Sequence, residues 1–118
     1  MSTTLSKKEQ LQLAALAASI EIVWVGEDHQ HAQLPGARWK DWDPFEDDTD
    51  AFVLANVMGY TINVSKILGR TTVSNGVREI AMSHGRNGKN VARATRLAIT
   101  RLAAYTGLAM QKESHGNK

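Results

Sequence analysis

The sequence has no cysteine among its 118 residues and only two prolines. Without thiols, the chain has no disulfide framework, no thiolate metal site and no cysteine nucleophile. No apolar run approaches the roughly 20 residues that a membrane-spanning helix needs. The N-terminal Met1-Ser2-Thr3-Thr4 lacks the basic and apolar regions of a secretory signal. These absences predict a cytoplasmic protein with no membrane partner.

The length is that of about one domain with one modest core. We expect a single domain over residues 1–118, with an ordered core at about 5–108 and a polar tail at 109–118. The net charge of +2 hides a segregation, because residues 1–65 hold 4 basic and 10 acidic side chains while residues 66–118 hold 10 and 2. Either the basic half meets an anionic partner, or the halves neutralise each other within the fold or across a homodimer. The sequence leaves both explanations open.

Capping, periodicity and turn signals predict the order α-β-α-β-β-α. The Ser6-Lys7-Lys8-Glu9 segment has the form of a capping box, and Asn75-Gly76 is a typical hairpin turn. The predicted elements are a helix at about Lys7–Ala18, a central strand at Ile20–Val25, a long loop at Glu27–Asp41, a helix that starts within Trp42–Asp50 with acids in its first turn and ends at Gly59, a strand at Tyr60–Val64, a hairpin at Arg70–Ala81 and a helix from Asn90 to about Gly107. This order is typical of a small α+β domain with an antiparallel sheet.

The glycine-punctuated basic loop at 84–90 runs directly into the last helix. Free backbone N–H groups at the positive end of a helix dipole, surrounded by Arg and Lys, predict an anion site. An aromatic side chain in the preceding long loop is expected to stack on a nucleobase. The predicted ligand-binding residues are His84, Arg86, Asn87, Gly88, Lys89, Asn90, Arg93, Arg96 and Trp39.

The basic stripe also has a structural interpretation, and the other candidate motifs predict no metal, cofactor or catalytic site. Lys89, Arg93, Arg96 and Thr100 form a polar, mostly basic stripe on one helical face, which would also suit a solvated surface. The loop has neither the Walker nor the G-x-G-x-x-G spacing. His29 and His31 lack a third ligand at a matching spacing, so we expect no metal. The acids at 46–50 are explained by the start of a helix, and no catalytic constellation or cofactor motif is present.

Two short motifs resemble a known family. Trp42-Asp43-Pro44, followed by Asp47-Asp48, Asp50-Ala51, Leu54-Ala55 and Gly59, resembles the W-N-P-x-x-D-D-x-D-A…L-A…G pattern of small bacteriophage proteins of the phage ABA-sandwich family, with Asp43 in place of the usual Asn. The segment at 92–99 resembles the closing A-x-R-A-I-x-x-A-A helix of that family. The resemblance implies a helix–sheet–helix sandwich encoded by a phage or prophage, located in the host cytoplasm, and it brings no catalytic residues.

The expected function combines this resemblance with the anion loop. We expect a non-enzymatic bacteriophage accessory protein that binds a nucleotide-like, phosphate-bearing small molecule, with a counter-defence role in which it sequesters a host nucleotide signal. The alternative is an interaction protein whose basic helix binds nucleic acid or an acidic host protein. A steep loss of affinity with salt would favour nucleic acid.

Overall fold

The computed structural model describes residues 6–24, 30–33, 40–85 and 88–116. Within these ranges the chain forms three helices and six strands. In chain order they are α1 Lys7–Ala18, β1 Glu21–Trp24, β2 Gln30–Gln33, β3 Lys40–Asp41, α2 Asp48–Met58, β4 Thr61–Ser65, β5 Arg70–Ser74, β6 Glu79–Ser83 and α3 Val91–Gly116. The structure is mixed α+β, and its element order is consistent with the predicted one. It has β2 and β3 in addition, and it has three strands between α2 and α3, where the predicted order counts two.

Local capping residues define the start of α1 and both ends of α2, and the capping box of α1 and the end of α2 at Gly59 are as predicted. The Ser6 hydroxyl accepts a hydrogen bond from the Glu9 N–H at 3.1 Å, and the Glu9 carboxylate accepts one from the Ser6 N–H at 3.1 Å. The Ser6 N–H, which donates to the Glu9 carboxylate, and the nearby Ser6 hydroxyl hold the pKa of Glu9 below its usual value. Asp47 caps α2, and Gly59 ends it in the left-handed region with φ of 70°. Glycine adopts this conformation without a Cβ clash.

The strands β4, β5 and β6 form an antiparallel sheet in that order. Ile62, Val73 and Ile80 are paired across it and pack against the core. The opposite face carries polar or small side chains that are mostly exposed, and the helix that contacts the sheet is α3. The layers therefore run from the sheet through α3 to α1 and α2. The predicted hairpin at 70–81 is confirmed, with a turn in which the Asn75 N–H donates to the Arg78 carbonyl.

A second small sheet occupies part of the segment predicted as a long loop. The strands β1, β2 and β3 pair antiparallel in that order, so the prediction of an uninterrupted loop over 27–41 is wrong for residues 30–33 and 40–41. The β2 sequence Gln-His-Ala-Gln has no apolar alternation. The strand forms through backbone pairing with β1, and its side chains show no pattern that sequence reasoning could detect. Within this sheet β1 lies at an edge and not, as predicted, at the centre.

The helix α3 continues to Gly116, beyond the predicted end near Gly107. Gly107 is buried where α3 crosses α1, and a Cβ at this position would collide with the Leu13 carbonyl group, whose carbon lies 2.7 Å away. This glycine therefore allows two helices to approach closely and does not end one. The core around this contact consists of small and aliphatic side chains of the three helices, together with Ile20, Trp42, Phe45 and Val73.

Candidate functional site

His84, the first predicted site residue, lies in the interior with 1% of its surface exposed. Its Nε2 atom is 2.8 Å from the hydroxyl oxygen of Thr71, and that oxygen is 3.1 Å from the hydroxyl oxygen of Thr95. The Thr95 hydroxyl donates to the Val91 carbonyl at 2.9 Å. These contacts connect the start of the loop to β5 and to the first turn of α3.

The directions of these hydrogen bonds follow from proton counting. A hydroxyl donates once, so Thr95, which donates to Val91, accepts from Thr71. Thr71 then accepts from His84, and the Nε2 atom of His84 carries the hydrogen. A histidine 2.8 Å from a hydroxyl has the spacing of a base and a nucleophile. Thr71 is fully buried, however, and the chain of bonds ends on a backbone carbonyl. We interpret the pair as structural.

The loop uses several of the N–H groups that were predicted to be free for an anion. The Gly85 N–H donates to the Ser83 hydroxyl at 3.1 Å, the Gly88 N–H to the Gly85 carbonyl at 3.2 Å and the Asn90 N–H to the His84 carbonyl at 2.9 Å. Gly85 and Gly88 have φ of 87° and 64°, as this tight loop requires. Among the described residues, the N–H groups of the first turn of α3 precede the first helical hydrogen bond, from the Ala94 N–H to the Asn90 carbonyl, and so have no helical acceptors.

The predicted cations differ in what they contact. Lys89 and Arg93 are exposed, and no hydrogen bond or ion pair joins either of them to another part of the described chain. Arg96 has only 16% of its side chain exposed, and it donates from Nε to the Phe45 carbonyl and from Nη1 to the Asp48 carboxylate, each at 2.7 Å. Arg96 therefore holds α3 against the start of α2. Arg86, Asn87 and Trp39 lie outside the described residues.

Arg93 lies between two recesses, both of which Leu97 also lines. The first, of about 150 Å³, borders the loop and includes Ser83, Gly85 and Asn90. The second, of about 230 Å³, lies between α1 and α3. Its lining residues are Lys7, Gln10, Phe45, Glu46, Arg93, Leu97 and Arg101. We call the two recesses together the Arg93 cleft.

Sequence reasoning missed Arg101 and Lys7 as lining residues of this cleft. Arg101 follows Arg93 by two steps of four residues, with Leu97 between them, so helical periodicity alone could have placed the two arginines on one face. No local signal could have found Lys7, which arrives by the packing of α1 against α3. Its ammonium group is 3.1 Å from the Asp43 carboxylate and 5.8 Å from the centre of the Phe45 ring. In the same recess Glu46 is an exposed acid.

The tryptophan-aspartate motif at 42–50 builds the start of α2. Trp42 is 1% exposed, Asp43 accepts from the Phe45 N–H at 3.0 Å, and Asp50, itself 4% exposed, accepts from the Asp43 N–H at 2.8 Å. Asp47 caps the helix by accepting from the Asp50 N–H at 2.9 Å. The acids therefore have the helix-start role that the sequence indicates.

The contact between Asp48 and Arg96 joins the acidic and basic halves within one chain. This supports the explanation in which the halves neutralise each other in the fold, at least for this pair. The predicted basic stripe is also shorter than expected. Arg96 is paired with Asp48, and Thr100, the next residue on that face, is buried and donates to the Arg96 carbonyl. Of this stripe, Lys89 and Arg93, at the start of α3, are the exposed members.

Comparisons of the chain with protein-family models, curated proteins and solved structures found no match. The resemblance to the phage ABA-sandwich family thus stays a prediction. Among the described residues, no helix is both long and apolar enough to cross a membrane. Within the same ranges, no group of three or more His, Asp or Glu side chains is placed to hold a metal ion.

Proposed function

We propose that this protein binds a small phosphate-bearing anion in the Arg93 cleft and acts as a binding protein and not as an enzyme. The observation that carries the proposal is the contrast between two arginines three positions apart on α3. Arg96 is already bonded to two groups of the fold, whereas Arg93 is exposed between two recesses and has no acidic partner in the described chain. Fold stability does not account for Arg93 in the way that it accounts for Arg96.

The electrostatic surroundings of Arg93 favour an anion. Arg93 lies in the first turn of a helix of 26 residues, where the dipole is positive and the terminal N–H groups lack helical acceptors. Exposed Lys89 precedes Asn90 of the loop recess in sequence, and Arg101 adds positive charge on the far side of Leu97, against one exposed acid of that recess, Glu46. A guanidinium group with two or more donors matches the geometry of phosphate oxygens.

The size of the cleft favours a compact ligand. The recesses of about 150 and 230 Å³ are each smaller than a typical drug-sized pocket. An extended nucleic-acid surface needs several phosphate contacts in a row. The bonds of Arg96 to Phe45 and Asp48, and the burial of Thr100, remove two of the four polar positions of the basic stripe from such a surface. The interaction-protein alternative is therefore the weaker one.

The resemblance to the phage family supplies a biological setting for this proposal. In that setting the protein is a phage accessory factor that sequesters a nucleotide signal of the host, and the bound group is its phosphate. The buried His84 contributes by fixing the first residue of the loop to Thr71 and not by contacting the ligand.

Calorimetric titration with pyrophosphate, a nucleoside triphosphate and a short oligonucleotide tests the proposal. Removing a charge-assisted hydrogen bond costs about 1.5–3 kcal/mol, or roughly 10- to 100-fold in affinity, so Arg93→Ala is expected to weaken binding of the small phosphates by that factor. Lys112→Ala is the matched control, because it removes an exposed cation from the far end of the same helix. Equal affinities of the wild type and Arg93→Ala would refute the site. Tight binding of the oligonucleotide alone, with a steep salt dependence, would support the alternative function.

A further inference from the structure

The recess between α1 and α3 contains an acid and an arginine that are not paired with each other. Glu46 lines it as an exposed carboxylate, and no ion pair joins Glu46 to a cation of the described chain. Arg101 lines the same recess and is half-buried. Its Nη1 atom donates to the Met82 sulfur at 3.7 Å, and a thioether is a weak acceptor. Within the residues that the structure describes, most of the five donors of this guanidinium group therefore lack an acceptor.

These two side chains offer opposite hydrogen-bonding groups to one space. An ionised carboxylate only accepts hydrogen bonds, and a guanidinium group only donates them. A second phosphate group in this recess would satisfy Arg101 but would be repelled by Glu46. A neutral ring with acceptors on one edge and donors on the next would satisfy both side chains. The recess therefore suits the organic part of a phosphate-bearing ligand better than another phosphate.

Among the purine bases, guanine has this pattern of edges. Its N7 and O6 atoms accept a forked pair of hydrogen bonds from an arginine, and its N1–H and 2-amino groups donate to a carboxylate. Adenine carries an amino donor beside N7 and an acceptor at N1, so it opposes an arginine on the first edge and a carboxylate on the second. The pair of Arg101 and Glu46 thus discriminates between the two purines.

The spacing of the arginines on α3 agrees with the size of a nucleotide. Arg93 and Arg101 are eight residues apart, which is about 12 Å along the helix axis, and both line the recess. A phosphate held by Arg93 therefore leaves the base of the same molecule within reach of Arg101. The volume of about 230 Å³ has room for a purine ring, and Leu97, between the two arginines, offers an apolar surface to the face of the ring.

From this arrangement we infer that the ligand of the Arg93 cleft is a guanine nucleotide. Its phosphate lies at Arg93, and its base lies in the recess between α1 and α3. Arg101 donates to N7 and O6 of the base, and the Glu46 carboxylate accepts from the N1–H and 2-amino groups. The inference rests on the proposed function, because it needs the phosphate site at Arg93, and it adds the class of base.

Calorimetric titration with guanosine 5′-monophosphate, adenosine 5′-monophosphate and ribose 5-phosphate tests the inference, because the three share one phosphate and differ in the base. We expect guanosine 5′-monophosphate to bind roughly tenfold more tightly than the other two, or better, as a bidentate base contact discriminates by about that factor. Equal affinities for all three would overturn the inference and leave the phosphate site in place. No binding of any of the three would refute both. Binding of a guanosine-containing oligonucleotide without binding of the free nucleotide would also overturn the inference.

Two conservative variants test the base contacts separately from the phosphate contact. Glu46→Gln keeps the size of the side chain, and Arg101→Lys keeps its charge. Each should weaken binding of guanosine 5′-monophosphate by roughly tenfold and leave the affinity for ribose 5-phosphate unchanged. Glu79→Gln is the matched control, because it removes an exposed carboxylate of β6 that lines neither recess. A Glu46→Gln variant that keeps the full preference for guanosine over adenosine would contradict the assignment.

Discussion

Replacement of Arg96 by alanine should destabilise the fold without affecting a ligand directly. The substitution removes the hydrogen bond from Nε to the Phe45 carbonyl and the ion pair with Asp48. Phe45 is 7% exposed, so its carbonyl loses a charged donor in a mostly dry environment. A hydrogen bond to a charged group contributes about 1.5–3 kcal/mol. The ion pair adds only about 0.2–1 kcal/mol, because Asp48 is 73% exposed and solvent screens it.

The expected loss in the free energy of unfolding is therefore about 2–4 kcal/mol. Urea unfolding followed by tryptophan fluorescence measures it, since Trp42 is buried in the core that unfolds. A double-mutant cycle with Asp48→Ala separates the two contributions, and the coupling between these residues should stay below about 1 kcal/mol. Arg93→Ala is the matched control and should change stability by less than about 0.5 kcal/mol, as surface substitutions usually do.

Two results would refute this reasoning. If Arg96→Ala were as stable as Arg93→Ala, the contacts of Arg96 with Phe45 and Asp48 would not hold α3 to α2. If instead the coupling with Asp48 accounted for nearly the whole loss, the exposed ion pair and not the carbonyl bond would be the stabilising contact. In the first case the contrast between a structural and an available arginine, on which the proposed site rests, would be lost.

Two further predictions concern the helix contact and alkaline pH. Gly107→Ala should lower the free energy of unfolding by about 3 kcal/mol or more in urea denaturation, because the new Cβ meets the Leu13 carbonyl group. Helix propensity alone would instead raise the free energy of unfolding by roughly 1 kcal/mol. An unchanged or higher stability would refute the close contact. Burial raises the pKa of Tyr60 above 10.0, with the Thr106 hydroxyl offsetting part of the effect. The raised pKa favours the neutral phenol in the folded state, so its contribution is present below about pH 10 and is lost as pH rises through the folded pKa. The urea midpoint of the wild type should fall relative to that of Tyr60→Phe above this pH, and parallel midpoints would contradict the prediction.

Features that depend on neighbouring residues in sequence were predictable. The Ser6 and Glu9 cap, the left-handed Gly59 and the Asn75-Gly76 turn each act within a few residues, so their sequence signals match the structure. The prediction that Gly107 ends α3 is wrong because the role of this glycine depends on Leu13 in another helix. The close approach of the two helices, and not the end of a helix, requires a residue without a Cβ. The strand β2 carries no apolar alternation and forms through pairing with β1.

The candidate site shows the same division between local and distant contacts. The basic loop and the start of α3 follow from the sequence, and they place Lys89 and Arg93 together at one end of the helix. The roles of His84 and Arg96 do not follow from it, because their partners Thr71, Phe45 and Asp48 are between 13 and 51 residues away. Only the fold separates the residues that stabilise the loop from those that remain available to a ligand.

The most direct test of the anion site is a nuclear magnetic resonance titration of the ¹⁵N-labelled protein with pyrophosphate. The proposal predicts that the side-chain Nε–H resonance of Arg93 and the backbone resonances in the first turn of α3 shift with a common saturation curve. The Nε–H resonance of Arg96, already bonded to the Phe45 carbonyl, should shift much less. Saturable shifts confined to Arg96 or to the far end of α3, or no saturable shift at Arg93, would contradict the proposed function.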